Sequence, residues 1–105
     1  LGLIAVPGAF TPSEVATAYN EGADIVKLFP ASILGLEYVK AFRAPINHIP
    51  LMAVGGVSVD NVKDFLSSGF MSAGVGSHII NAKKIAAGDF DGVRNAAKGF
   101  IAAIQ

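Results

Sequence analysis

The 105-residue chain is 52% hydrophobic and 15% charged, its eight basic and eight acidic residues cancel, and it has no cysteine. That composition describes a folded domain with a buried core and excludes disulfides, thiolate metal sites and thiol catalysis. No Lys/Arg cluster exceeds Lys83-Lys84 and no apolar run nears the ~18 residues of a membrane span, so neither nucleic acid nor membrane is an expected partner. With no signal-peptide start, a cytoplasmic location is expected.

Apolar runs of four to six residues alternate with helical patterns, which reads as successive βα units. Leu3–Val6 is the first expected strand, turned by Pro7-Gly8-Ala9-Phe10. Thr11-Pro12-Ser13-Glu14 then starts a helix: Thr11 caps, Pro12 takes the first helical position and Glu14 reaches back as a capping box. Gly22 stops it. Asp24–Phe29 is the second strand and Leu36–Arg43 the second helix, with Leu36, Val39 and Ala41 or Phe42 inward and Pro45 beyond its end. Pro50–Val54 is the third strand. Ser58 is expected to cap a third helix whose apolar face is Val59, Val62, Phe65 and Leu66 and whose stop is Gly69. Met71–Val75 is the fourth strand, His78-Ile79-Ile80 a short apolar turn, and Asp89–Gln105 a closing amphipathic helix. A shift of 47 residues superposes Gly8 on Gly55, Thr11 on Ser58, Val15 on Val62 and Gly22 on Gly69, so each half reads as a (βα)2 unit. The fold class is α/β, with four βα units in either half of a (β/α)8 barrel or a small doubly wound sheet.

Lys27 is the odd residue, set inside the apolar run Ala23–Ala31. An amine in apolar surroundings loses part of its preference for the charged form and becomes a nucleophile toward carbonyls. The competing reading is a strand-end lysine whose stem packs while its ammonium reaches water. In both fold alternatives chemistry gathers at the carboxyl ends of the strands. Glycine concentrates there, at Gly55-Gly56 and Gly76-Ser77, either to let backbone N–H groups meet an anion or simply to make tight turns. His48 and His78 lie 30 residues apart with no companion carboxylate motif, which leaves no metal-ligand spacing.

Taken together, Pro7-Gly8 with Thr11-Pro12-Ser13-Glu14, then Lys27-Leu28-Phe29-Pro30-Ala31, Val54-Gly55-Gly56-Val57 and Gly74-Val75-Gly76-Ser77 resemble the ordered blocks of the class I aldolases acting on 2-keto-3-deoxy-6-phosphogluconate (KDPG) and 4-hydroxy-2-oxoglutarate. The resemblance spans essentially the whole chain. It implies that Lys27 forms a Schiff base with a pyruvyl carbonyl, that Pro30, Val54, Gly55, Gly56, Gly76 and Ser77 line the substrate and phosphate site, and that no cofactor is needed. It also implies a phosphorylated 2-keto-3-deoxy sugar acid and pyruvate as small-molecule partners, a homo-oligomer (a trimer in the family), and four βα units equivalent to the second half of a (β/α)8 TIM barrel.

Two departures stand out. Ala53-Val54-Gly55-Gly56 replaces the Pro-Thr-Gly-Gly common in the KDPG enzymes and looks more like the branch acting on the 6-phosphogalactonate epimer. The family's glutamate acid/base and substrate-binding arginine, on its early strands, have no counterpart here. Glu14, Glu21 and Glu37 each fall in a helical pattern, not at a strand end. Since Leu1 is not an initiator methionine, the expectation is a portion of a longer protein, the alternative being two half-barrels that pair. Three functions are carried forward: a lysine-dependent aldolase, a phosphate-binding half-barrel without turnover, and a purely structural (βα)4 module.

Overall fold

The computed structural model describes residues 1–105 and contains four strands and five helices in the order β1 (Gly8–Ala9), α1 (Pro12–Asn20), β2 (Val26–Leu28), α2 (Ala31–Arg43), β3 (Leu51–Val54), α3 (Val62–Ser67), β4 (Ser72–Gly74), α4 (Ala82–Ala86) and α5 (Phe90–Ile104). All strands pair parallel in the sequential order β1-β2-β3-β4. Successive right-handed crossovers then carry α1, α2 and α3 to the same side of the sheet. One side of the sheet is therefore roofed and the other is open. The radius of gyration of 15.1 Å exceeds the ~13 Å of a closed domain of this length, as expected for a slab 23 Å thick.

The roofed side holds the core. Val26 and Leu28 of β2 and Leu51 and Ala53 of β3 are fully buried and pack with Val15, Val39, Phe42, Val62, Phe65 and Phe100 from the helices. Edge-to-face pairs Tyr38–Phe42 and Phe65–Phe70, with centroids 5.5 and 5.7 Å apart, fix the packing of α2 and of the α3–β4 corner. Arg43 ties the end of α2 to the entry of β3, donating from Nη1 to the carbonyls of Ile46 and Ile49 at 3.0 and 2.7 Å. A largely apolar groove of about 360 Å³ runs between α3, α5 and the free edge of β4.

Local chemistry places α1 as expected: Thr11 Oγ1 accepts from the Glu14 N–H, and the Glu14 carboxylate accepts from the Thr11 N–H. Elsewhere tertiary pairing moves the boundaries. Leu3–Val6 forms no ladder; the strand begins at Gly8, and Leu1, Leu3 and Ile4 are exposed because nothing packs on that edge. Ahead of β1, the Ala5 carbonyl accepts from the Asp24 and Ile25 N–H groups, the Ala5 N–H donates to the Asp24 carboxylate, and the Pro7 carbonyl accepts from the Lys27 N–H of β2. Helix α2 spans Ala31–Arg43, but Gly35 (φ 78°, ψ 165°) is non-helical and divides it, so the expected Leu36–Arg43 helix follows the break and the addition is a short helical stretch from Ala31 that precedes it. Ser58 does not cap α3 with its side chain. Instead the Asn61 carboxamide accepts from the Ser58 N–H at 2.8 Å, and the Ser58 carbonyl accepts from Val62. An additional short helix, α4, is capped by Asn81, whose carboxamide accepts from the Lys83 and Lys84 N–H groups. Of the 47-residue repeat, Val15 and Val62 are equivalently buried and Gly22 and Gly69 equivalently left-handed (φ 101° and 107°), while Gly8 and Gly55 differ in conformation.

Candidate active site

The period-two alternation of β2 sends Val26 and Leu28 into the roofed core and leaves Lys27 half-buried on the open face. Register places Gly8, Lys27, Met52 and Ser72 in one row across the four strands. With no side chain at Gly8, the lysine stem lies across it: a Cβ there would stand 3.1 Å from Lys27 Cε. The ammonium sits 5.5 Å from the centroid of Phe29 and takes no part in either ion pair of the chain, Lys40–Glu37 or Arg94–Asp91. Burial is thus less complete than the apolar run suggested. No charged side chain in the molecule is fully buried.

Two residues along β3 from Met52, on the same face, is Val54, paired with Gly74 of β4. Past this row the strands end in a cleft of about 200 Å³ lined by Val54, Gly55, Gly56, Val57, Gly74, Val75, Gly76, Ser77 and His78. By strand geometry the cleft row lies about 7 Å beyond the Lys27 row toward the carboxyl ends, and β4 about 10 Å across from β2. Five of the seven expected site residues, Val54, Gly55, Gly56, Gly76 and Ser77, therefore share one cleft. Lys27 lies beside it on the same face, and Pro30 stands behind Gly55.

The glycines divide into two kinds. Gly55 (φ 96°) and Gly56 (φ 70°) are required by the fold itself: a Cβ on Gly55 would come within 3.0 Å of the Phe29 ring and 3.1 Å of Pro30 Cα, and one on Gly56 would overlap the Ser32 hydroxyl. The Ser32 N–H donating to the Gly55 carbonyl, at 3.1 Å, joins the same two loops. Gly76 is different. It is the one glycine of the chain with neither a positive φ nor any atom within 4 Å of an added Cβ. Nothing in the fold requires a glycine there.

The backbone N–H groups of Gly55, Gly56, Val57, Gly76, Ser77 and His78 have no acceptor within the chain. Such a concentration of unpaired donors at the ends of two neighbouring strands can be satisfied by water or by an anion. No carboxylate is among the lining residues. Glu14 is held in its capping box and Glu37 pairs with Lys40, so neither reaches the site. His78 is a lining residue that sequence reasoning weighed only as a metal ligand; the available signal was its place directly after Gly76-Ser77.

The family model for KDPG and KHG aldolase matches residues 2–96. The chain belongs to that family. Among relatives, it is 38% identical over 82 residues to the 2-dehydro-3-deoxy-6-phosphogalactonate aldolase of Escherichia coli, covering 77% of this chain and 40% of the relative. It is 31% identical over 93 residues to the 2-dehydro-3-deoxy-phosphogluconate aldolase of Treponema pallidum, covering 88% of this chain and 44% of the relative. A solved structure described as native KDPGal superposes with a TM-score of 0.88 at 33% identity, over 97% of this chain and 48% of that one. The chain thus spans less than half the length of these family members, and its four βα units match about half of that solved fold.

Proposed function

We propose that this chain supplies the nucleophile and the phosphate cradle of a Schiff-base aldolase that cleaves a phosphorylated 2-keto-3-deoxy sugar acid. The observation that carries the reading is an unpaired amine, Lys27, on the same open sheet face as a carboxylate-free cleft of unpaired N–H groups. Gly76 supports the anionic end, because neither its φ nor any neighbouring atom requires a glycine and its missing side chain leaves the backbone open to close approach.

In this scheme the free amine of Lys27 attacks the C2 carbonyl carbon, and loss of water gives a protonated imine. The imine accepts the electron pair of the C3–C4 bond as that bond breaks, leaving an enamine. The C4 hydroxyl gives up its proton and leaves as the aldehyde of glyceraldehyde 3-phosphate. Protonation of the enamine at C3 and hydrolysis of the imine release pyruvate and regenerate Lys27. The cradle holds the phosphate end and so sets which carbon faces the amine. The groups that move protons and bind the substrate carboxylate belong, on this reading, to a portion of the barrel outside residues 1–105.

The galactonate epimer is the favoured substrate over the gluconate. Val54 places an apolar side chain in the cleft, and the chain is 42% identical over 79 residues to a probable 2-dehydro-3-deoxy-6-phosphogalactonate aldolase of Rhizobium meliloti, against 40% over 63 residues to a 2-dehydro-3-deoxy-phosphogluconate aldolase of Pseudomonas aeruginosa. Homo-oligomeric assembly and a cytoplasmic location are part of the same proposal, the first checked by light scattering. Borohydride treatment of the intact protein with pyruvate tests the mechanism: reductive modification at Lys27 is expected, and an unmodified, folded protein would remove the aldolase reading and leave the phosphate-binding and purely structural ones.

A further inference from the structure

Two glycines of the open face carry a neighbouring strand's side chain. Gly8 lies under the Lys27 stem, and Gly74, the last residue of β4, lies under its register partner Val54. A Cβ on Gly74 would stand 2.9 Å from Val54 Cγ2, 3.7 Å from Val54 Cγ1 and 3.6 Å from Met52 Sδ. Both methyl groups of Val54 therefore lean over β4, into the space that the glycine leaves. Gly74 has no positive φ, so its backbone would accept a side chain, and the contact with Val54 is what stands in the way. In that it differs from Gly55 and Gly56, whose backbones are left-handed, and from Gly76, which has no atom near it.

We infer that Gly74 sets the epimer choice of the site by fixing the lean of Val54. The inference rests on the aldolase reading above and deepens it. A ligand joined to Lys27 at C2 and held by its phosphate at Gly76-Ser77 passes the half-buried Val54 with the carbons between. The galactonate and gluconate epimers differ in which side of C4 bears the hydroxyl. Val54 has no polar atom to offer that hydroxyl, so it discriminates by volume alone. Where its methyl groups stand then decides which side of C4 is free. Valine is stiff at χ1 and carbons in contact stay about 3.5–4.0 Å apart, so a methyl group at position 74 would displace Val54 by roughly 1 Å. Gly74 is thus a positioning residue that acts through Val54.

The readout is the ratio of kcat/KM for the two epimers, because it cancels the folded fraction and the steps both substrates share. In the intact protein, Gly74→Ala is expected to shift that ratio about tenfold toward gluconate, the scale of a methyl-sized change in an apolar pocket. In a Val54→Ala background the same change has no valine methyl groups to displace, and should move the ratio by less than about twofold. An equal shift in both backgrounds would mean that the new methyl group meets the ligand itself, and would overturn the inference. So would an unmoved ratio, including the case in which Gly74→Ala weakens only the binding of sulfate, a stand-in for the phosphate end. If Gly74→Ala fails to fold, the double variant with Val54→Ala should fold again, and a double variant that stays unfolded would remove the contact as the reason for the glycine. Failure of the unaltered protein to cleave either epimer would remove the aldolase reading and this inference with it.

Discussion

The two faces of one sheet are built from the same strands and serve opposite ends. Toward the helices, the row Ala9, Leu28, Ala53, Ala73 is closely packed, and its central pair is fully buried. Toward the open side, the row Gly8, Lys27, Met52, Ser72 carries an amine resting on a glycine. A single-residue step along β2 separates a core leucine from the candidate nucleophile. In a parallel sheet roofed on one side, stability and chemistry are therefore assigned by parity: substitutions at even and odd positions of β2 should fail in different ways.

The sharpest break in that comparison comes from Lys27. Lys27→Met in the intact protein is expected to lower aldol cleavage by about three orders of magnitude or more, with borohydride trapping lost and thermal unfolding nearly unchanged. Leu28→Ala should do the reverse, costing about 2–5 kcal/mol in denaturant unfolding while the surviving folded fraction still forms the imine. If Lys27→Met unfolds the protein as readily as Leu28→Ala, the division by parity is wrong. Gly56→Ala tests the boundary between the two roles. Its left-handed backbone and the Ser32 hydroxyl behind it should make the change cost about 1–3 kcal/mol and weaken sulfate binding as well. Gly76→Ala, in open space with an ordinary φ, should leave unfolding unmoved and weaken sulfate binding alone. The smallest effect belongs to Thr11→Ala, remote from both faces, which should remove about 1 kcal/mol of stability through loss of the α1 cap.

What could be read from the sequence follows the range of the interactions involved. The α1 boundaries were legible because Thr11, Pro12 and Glu14 act on one another within a turn. The strand at Leu3–Val6 was misplaced because pairing is decided by a partner almost 20 residues away: Gly8 and Ala9 are the residues in register with Lys27 and Leu28. The third helix lost its expected cap for a local reason, since Asn61 competes with Ser58 for the same turn. At the site, residue identity singled out Lys27, the Gly55-Gly56 doublet and Gly76-Ser77. The different uses of those glycines depend on neighbours from other loops, Phe29, Pro30 and Ser32, that no spacing rule connects to Gly55 and Gly56.

The contact between Lys27 and Gly8 has a consequence for how such a protein can change. A methyl group at Gly8 would meet the lysine side chain near its Cε, so the reach of the amine is adjustable from the adjacent strand without altering the lysine itself. On the role proposed for Lys27, Gly8 would act as a set-screw for the amine, and variation there would change its aim while the lysine itself stays in the sequence.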